Sequence, residues 1–595
     1  MAENPPSKSN DHTQMNEDIL QILLEQNELT PEQAEQVRRR VRRAQISEQQ
    51  ALIDLGFSSQ SKIYQALSQT TGIPFISLDN LQIPPDLIQK VPTKVALRYQ
   101  FVPISMEHGT LTAAFANPPS VRDREALRLL LGLRINICLA TPNEITNTLK
   151  KLFGLGAETV IELTKDKQKF LPDDEANTDQ EVNVIEEDNS SDASIIQLVN
   201  EIIADAIHQH ATDIHIEPFR DRIRLRYRID GMLREIATPP GMHRLGDAIV
   251  SRIKIMARLN IAEKRLPHDG RIRTMLDNEA TDLRVSIMPT RFGETICLRI
   301  LTSSSIFIEM GSLGLSKYQL AILGKLVSIP HGIVLVTGPT GSGKTTTLYA
   351  ALAYVRDKNP ERKIITVENP VEYELPGTTQ MQMHAEIGFT FASALRSILR
   401  HDPDSILVGE IRDNETADIA IQSALTGHLV LSTLHTNDSV GAVNRLINMG
   451  IEPYLLASAL VGSIAQRLVR RLCNHCKVKD DTISPRVRAE IAKSLGIPES
   501  EVSAYKAVGC PECNKTGYRG RVAVYEFFLL NEEIQEMIEA HATTGELREK
   551  ARLHGMKTLR EDGWDKVRNN LTSIEEIERI TANTQISYDI KENEE

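Results

Sequence analysis

Apolar residues recur along this chain in two rhythms, helical and alternating, and each change of rhythm marks a boundary. From about Asn16 to Gly154 helical spacing alternates with short apolar strands such as Leu111-Thr-Ala-Ala-Phe115. Thr30-Pro-Glu-Gln33 and Ser47-Glu-Gln-Gln50 place a hydroxyl three residues ahead of a Gln, a pattern that starts helices. An N-terminal α/β module is predicted over 16–155, behind a disordered stretch 1–15. From Glu158 to Asp192 the chain turns acidic (Pro172-Asp-Asp-Glu175, Ile185-Glu-Glu-Asp-Asn-Ser-Ser-Asp192) and too poor in apolar residues to build a core, so 156–192 reads as a flexible linker. Helical spacing over Ile195 to Ile207 then gives way to alternation in Asp213-Ile-His-Ile-Glu217, Ile223-Arg-Leu-Arg-Tyr-Arg-Ile229, Leu283-Arg-Val-Ser-Ile287 and Ile296-Cys-Leu-Arg-Ile300. A second α/β domain is predicted over 193–305, with arginines along one strand face.

Beyond Gly311 the strands become short and continuously apolar, and strand and helix alternate into the 460s. That is the pattern of a mostly parallel sheet with helices on both faces, predicted over 306–470. A cysteine-bearing segment, 471–530, a helical stretch, 531–583, and a charged tail, 584–595, complete the chain, and no repeat of solenoid length is present.

At 595 residues the chain is too long for one hydrophobic core, which agrees with several folded units. A formal net charge of -12 gives no general attraction for nucleic acid or an anionic membrane. Met1 to Gln14 is polar, with no apolar stretch behind a basic region, so export is not expected. The longest apolar runs, such as Gly332 to Thr337, fall far short of the roughly 20 residues that span a bilayer, so membrane association is expected only through a partner. Four cysteines form two C-x-x-C pairs, Cys473/Cys476 and Cys510/Cys513, which in a chain without a signal reads as metal binding. Cys138 and Cys297 lie in apolar alternations and read as buried and inert.

The segment Gly338-Pro339-Thr340-Gly341-Ser342-Gly343-Lys344-Thr345 matches the phosphate-binding loop G-x-x-x-x-G-K-[ST] in full. It follows the strand Ile333 to Val336 and precedes a helix predicted from Thr346 to Tyr354. Glycines let the backbone curl so that N–H groups point at phosphate oxygens, and the helix N-terminus adds a positive dipole end. Lys344 is expected on the β/γ-phosphates and Thr345 on Mg2+, with Thr346 completing the ATP-binding set. A second apolar strand, Ser405 to Glu410, ends in the Walker B candidate Glu410, where Asp is usual. A third, Lys363 to Val367, leads into Glu368-Asn-Pro-Val-Glu372 and puts two further carboxylates at the edge where α/β folds bind ligands. One of them is expected to orient the attacking water. His428 and His435 bracket another short strand and are candidates for sensing phosphate.

These residues resemble the secretion-superfamily ATPases of type II secretion and type IV pilus assembly. The resemblance covers the Walker A loop, Thr366-Val-Glu-Asn-Pro-Val-Glu372, Arg400 to Asp413 and Leu425 to Asn437. It also covers Asp213 to Pro218, Arg226 to Gly231 and Asp269-Gly-Arg271, and runs from about Ser191 to Thr581, with Asn369 where the family usually has Asp. It implies an α/β multidomain fold: a RecA-like P-loop core, preceded by a PAS-like domain and an N-terminal module, with a zinc loop and a helical C-terminus. It further implies Glu372 as the base for water, Glu410 as the Mg2+-associated acid, and His428 and His435 as γ-phosphate sensors. Arg226, Arg228, Arg271 and Arg284 become candidates for an arginine lobe closing over ATP, Arg226 and Arg271 foremost as catalytic. Members are homohexameric motors that push an inner-membrane platform protein, cytoplasmic and peripheral to the membrane.

Cys473-Asn-His-Cys476 and Cys510-Pro-Glu-Cys513 resemble the tetracysteine zinc loop of assembly-type members. The long gap between the pairs implies a stapled loop and not a compact finger, with His475 a second-choice ligand. Residues 16 to 154 resemble the N-terminal module that docks on the cytoplasmic domain of a membrane partner. Some such modules bind cyclic di-GMP through Arg-Leu-Gly at each motif start. The corresponding stretches here, Asn16-Glu-Asp-Ile-Leu20 and Ser47-Glu-Gln-Gln-Ala51, lack it, which argues against that ligand. A retraction motor of the same superfamily is disfavoured by the N-terminal module and the cysteine loop, and a regulatory subunit without turnover by intact Lys344, Glu372 and Glu410. Val440 to Arg445 resembles secretion members and Gln380 to His384 pilus members, so the residues leave that choice open.

Overall fold

The computed structural model describes residues 19–79, 81–157, 159, 160, 163, 189–276, 279–302 and 309–582. The expected disordered N-terminus, most of the acidic linker and the C-terminal tail lie outside them. The chain divides into two units, residues 1–273 with 283–300, and 274–282 with 301–595.

In the first unit, α1 (Pro31–Ala44) starts at a capping box in which Thr30 Oγ1 accepts from the Gln33 N–H and the Gln33 side chain accepts from the Thr30 N–H. Ser47 caps α2 (Glu48–Leu55), and α3 (Gln60–Thr71) completes a helical cluster around Leu23, Leu52 and Tyr64. Strands β1 (Phe101–Glu107), β2 (Thr110–Phe115) and β3 (Arg134–Leu139) form a small sheet in that order, backed by α4 (Pro142–Phe153).

The linker expected from residue 156 is shorter than its composition suggested. Leu155, Val160 and Leu163 are buried in the core of the following domain, the Leu155 N–H donates to Ala237 O at 2.9 Å, and Lys150 Nζ pairs with Asp205 at 2.6 Å. The stretch from Leu155 to Leu163 is itself rich in apolar residues and precedes the acidic run, so it can reach a packed surface. At the other end α5 (Asn189–His208) already begins at Asn189.

That following domain is a six-stranded sheet in the order β6-β5-β4-β9-β8-β7, built from β4 (Ala211–Pro218), β5 (Ile223–Ile229), β6 (Met232–Ile236), β7 (His268–Leu276), β8 (Glu279–Thr290) and β9 (Gly293–Thr302). Its core face, with Ile214, Leu225, Tyr227 and Leu298, packs against residues of α5 and of α6 (Gly246–Met256). Tyr227 donates its hydroxyl to Ile202 O at 3.0 Å. The other face carries the charged residues.

The second unit holds a seven-stranded sheet in the order β12-β11-β13-β14-β10-β15-β18. Its members are β10 (Gly332–Thr337), β11 (Ile364–Glu368), β12 (Thr379–Gln382), β13 (Ser405–Val408), β14 (Leu429–Leu434), β15 (Leu460–Leu472) and β18 (Tyr518–Leu529). The paired strands run parallel except β18, which returns antiparallel beside β15. All six residues of β10 are buried because helices cover both faces. α7 (Lys317–Leu326) and α8 (Lys344–Lys358) contribute to the core on one face, and α9 (Asn414–Leu425) to that on the other.

The cysteine segment expected as 471–530 is an insertion in this sheet. Its last strand, β18, belongs to the main sheet, so only residues 473–517 leave it, as the two-stranded β16 (Val478–Lys479) and β17 (Tyr505–Lys506) and α10 (Pro485–Leu495). The C-terminal stretch is helical as expected, in α11 (Glu532–Glu539), α12 (Thr544–Leu553), α13 (Leu559–Arg568) and α14 (Ile574–Thr581). No helix among the described residues is long and apolar enough to cross a membrane.

Candidate active site

The phosphate loop leaves β10 after Thr337 and enters α8 at Lys344, two residues earlier than the sequence pattern placed the helix. Gly338 sits at φ +150°, and a Cβ there would lie 2.6 Å from Gln466 O and 2.6 Å from Ser342 Oγ, so only glycine fits. Gly343 is the N-cap of α8 and no side chain caps the helix, which leaves its first-turn N–H groups for an anion. Ser342 Oγ is buried without a hydrogen-bond partner in the same loop. An orphan hydroxyl beside an uncapped helix end fits phosphate oxygens, which would satisfy both. Lys344 Nζ donates to Gly338 O at 2.8 Å and to Pro339 O at 3.1 Å. Burial, reinforced by Arg467 and opposed by Glu410, lowers its pKa from 10.5 to about 8.

Parallel register decides what shares this edge. Val408 of β13 pairs with Ser432 of β14, and Leu434 of β14 with Thr337 of β10, so Glu410, His435 and Gly338 all follow strand ends on one side of the sheet. Glu410 lies two residues past β13, where its carboxylate meets Arg412 Nη2 at 2.7 Å and His435 Nε2 at 3.4 Å.

His428 is a correction. It precedes β14, beside the start of β10, where the Gly332 N–H donates to its carbonyl. Six extended residues at ~3.3 Å each separate it from the phosphate edge. Its Nδ1 lies 2.9 Å from Ser423 O, a structural bond, so it is not placed to sense phosphate. Both histidines flank one strand, and a strand has two ends.

The two glutamates after the third strand also differ. Glu368 is the last residue of β11 and is buried, and burial raises its pKa although three donors oppose the shift. Glu372 lies beyond the cis Asn369–Pro370 bond, half-buried at the same edge as the phosphate loop. Thr345 is half-buried in the first turn of α8. The Thr346 hydroxyl is engaged by Tyr373, and Thr346 lines a groove of about 980 Å³ along α8 with Tyr349, Tyr354 and Tyr373.

The four cysteine sulfurs lie within 4.8 Å of one another. Cys473 and Cys510, and Cys476 and Cys513, are 3.8 Å apart, and Cys510 and Cys513 3.7 Å. A tetrahedron with Zn–S bonds of ~2.3 Å has edges of ~3.8 Å. Backbone N–H groups of Gly509, Cys510 and Gly517 donate to Cys476 and Cys513 sulfurs at 3.1–3.3 Å, which favours thiolates. Burial opposes this and pushes Cys476 and Cys510 upward, whereas the N–H groups and the neighbouring thiols bring Cys513 down to about 6. His475 is not in the cluster. The residues present fit a structural zinc ion.

Comparison with known proteins agrees with this geometry. The type II/IV secretion system protein family matches residues 188–579, and the MshEN domain family matches 71–159. This chain belongs to the type II/IV secretion system protein family. It is 41% identical over 538 residues to the type IV pilus assembly ATPase PilB of Myxococcus xanthus, covering 89% of this chain and 93% of that one. It is 40% identical over 534 residues to the type II secretion system protein E of Xanthomonas campestris, covering 89% and 92%. The solved pilus retraction motor PilT with bound ADP is 25% identical, covering 64% of this chain and 97% of that one, at a TM-score of 0.43. The expected class, a P-loop motor ATPase of the secretion and pilus-assembly kind, holds.

In this family member the candidate arginines on the strands of the second domain are not unpaired cations. Arg224 Nε and Arg226 Nη2 meet Glu217 at 2.8 and 2.5 Å, and Arg228 Nε and Arg299 Nε meet Asp213 at 3.5 and 3.0 Å. Burial pushes Glu217 upward, but the Arg226 and Arg224 guanidiniums hold it below the ordinary carboxylate range. Arg271 and Arg284 stand on β7 and β8 and have partners as well.

Three residues at the phosphate edge escaped the motif reading. Gln466 accepts from Thr347 Oγ1 at 2.9 Å and so braces α8, and Arg467 donates to Asn437 O at 2.8 Å. Arg412 holds Glu410. The signal for the first two was the parallel pairing of Thr337 with Ala465, which brings the next residues of β15 past the phosphate loop, and pairing is not written in spacing.

Proposed function

We propose that this chain hydrolyses ATP with Mg2+ and couples the reaction to assembly of a type II secretion pseudopilus or a type IV pilus. The reading rests chiefly on the convergence of the uncapped α8 end, Ser342, Lys344, Glu410 and Glu372 at one sheet edge. In this mechanism the phosphate loop from Gly338 to Thr345 wraps the phosphates with backbone N–H groups. Lys344 exchanges the Gly338 and Pro339 carbonyls for β- and γ-phosphate oxygens. The Thr345 hydroxyl and Glu410 would hold the Mg2+, which would supply neutralisation of the phosphate charge. Glu372 orients the attacking water and takes its proton. His435, beside Glu410, reports the γ-phosphate in this reading. Arg226 and Arg271 supply positive charge on closure, Arg226 by exchanging Glu217 for phosphate. Cys473, Cys476, Cys510 and Cys513 would hold a zinc ion, which would staple the inserted loop.

The working form is a homohexamer, cytoplasmic and peripheral to the inner membrane. It engages a membrane platform protein and is docked through its N-terminal module. Near-equal identity to a pilus ATPase and to a secretion ATPase leaves both destinations within this reading.

Glu372→Gln tests the chemistry. It should bind ATP as tightly as the parent and turn over on the order of 10² to 10⁴ times more slowly, while Lys344→Ala also weakens binding. Near-normal turnover in Glu372→Gln would remove that residue as the base.

A further inference from the structure

Glu368 and Tyr349 have no part in the chemistry above, yet they meet at the centre of the ATPase unit. Tyr349 lies on α8, five residues and so ~7.5 Å along the helix axis from Lys344. Its hydroxyl donates a short hydrogen bond to Glu368 Oε2. Thr366 Oγ1 donates to Glu368 Oε1 at 2.7 Å, and Gln380 Nε2 to the same oxygen at 3.3 Å. Glu368 is 4% exposed and Tyr349 2%. A carboxylate with three side-chain donors on its two oxygens, removed from water, forms a rigid junction and not a solvated surface charge.

The junction reaches the loop that carries Glu372. Gln380 Nε2 also donates to Tyr373 O at 3.1 Å, and the Leu375 N–H donates to Gln380 Oε1 at 2.6 Å. The rings of Tyr349 and Tyr373 meet edge to face with centroids 4.6 Å apart. Tyr373 is the immediate neighbour of Glu372, so the residue after the base is held on its ring and on its carbonyl by groups anchored to Glu368. A third connection comes from the Walker B strand. A Cβ on Gly409 would lie 3.3 Å from Glu368 Cα and 3.3 Å from Val367 O, so the glycine before Glu410 lets the β13 end press on this junction.

We propose that Glu368, with Tyr349 and Gln380, is a positioning unit. It fixes the separation between the phosphate-binding helix, the water-activating Glu372 and the Glu410 strand end. Glu368 and Tyr349 are buried and spend their polar atoms on protein partners. The unit acts by holding the loop 369–378 at a set distance from α8, and misplacement of a base by even an ångström costs large factors in rate. This rests on Glu372 being the base.

The test is a cycle among Glu368→Gln, Tyr349→Phe and Glu372→Gln in the full-length protein. Turnover, affinity for a non-hydrolysable ATP analogue and melting temperature are measured for each. Glu368→Gln keeps the shape but puts an amide N–H₂ among donors, and Tyr349→Phe removes one donor and leaves the ring. Each should lower kcat by on the order of 10-fold or more, leave analogue affinity within about 2-fold, and shift melting by only a few degrees. In the Glu372→Gln background, Glu368→Gln should cause little further loss, because there is no base left to misplace. Full activity in Glu368→Gln and Tyr349→Phe, with Glu372→Gln impaired, overturns this inference alone. So does an undiminished effect of Glu368→Gln in the Glu372→Gln background, or a kcat loss that follows loss of folded protein. Normal turnover in Glu372→Gln overturns the base assignment and the inference with it.

Discussion

The seven-stranded and six-stranded sheets put their chemistry in different places. Every residue of β10, β11, β13 and β14 is buried, so the ATPase sheet has no face left for function, and its candidate groups sit in the loops just past the strand ends. In β5, Ile223, Leu225, Tyr227 and Ile229 face the core while Arg224, Arg226 and Arg228 occupy the intervening positions, so the strand itself carries the charges. Helices on both faces force the first solution, and one open face permits the second. Mutations should therefore act oppositely. A change within a strand of the parallel sheet disturbs packing, whereas a change on the antiparallel sheet's charged face disturbs activity.

The largest expected effect bears on the charged face. An arginine over a γ-phosphate is worth on the order of 10³ in rate, whereas an exposed ion pair contributes about 1 kcal/mol to stability. Arg226→Ala and Arg271→Ala should cut turnover strongly with little change in melting temperature. Rate, ATP affinity and melting for these and for Arg228→Ala and Arg284→Ala decide the matter, and if all four turn over normally the face has no part in hydrolysis.

Next comes the insertion. Freshly purified, reduced protein should carry about one zinc per chain. Its chelation, or Cys510→Ser, should lower the melting temperature by several degrees while ATP binding is largely kept. Metal-free protein with an unchanged melting curve would break the zinc assignment.

A smaller effect concerns Lys344, whose pKa is lowered to about 8 in the folded chain. Between about 8 and 10.5 the unfolded chain binds more protons at this position, so stability rises with pH across that window, and below it the folded state bears the full cost of a half-buried charge. Lys344→Met should melt a few degrees higher than the parent at pH 7 without nucleotide, with the gap closing near pH 10. An equal gap at both pH values would show that the charge is not responsible.

The smallest separates the two histidines. His435→Ala should slow turnover by about 10-fold, as expected for loss of a group beside the acid, and His428→Ala should leave it within about 2-fold. Equal losses would contradict the placement of His428 at the far strand end.

Much of this was legible because glycine, proline and charge punctuate apolar runs. Gly338 to Thr345, Glu372 and Glu410 stand where the motifs put them, since each follows a strand whose apolar run is hard to misread. The paired cysteines were equally plain. What escaped depends on pairing and not on order. The histidines are a different case: residues that bracket one strand lie at its two ends, so their separation followed from the predicted strand, and only the shared role given to them conflicts with it. By contrast, nothing in Val522 to Leu529 reveals that it returns to the main sheet beside Val469 to Gly462. Residues 156–163 were grouped with the acidic run that follows them, although Leu155, Val160 and Leu163 are apolar and anchor the segment in the next domain's core.

The insertion's geometry has a practical side. Leu472 and Tyr518 are register partners, and Cys473 N–H donates to Gly517 O, so the excursion departs and returns through a single narrow neck clasped by four sulfurs. Whatever lies beyond the neck is topologically a cassette. Its exposed turn Glu499–Glu501, ahead of the buried Val502 and Ala504, is thus a natural splice point for a fluorescent reporter, one that would follow the ATPase unit without entering the seven-stranded sheet.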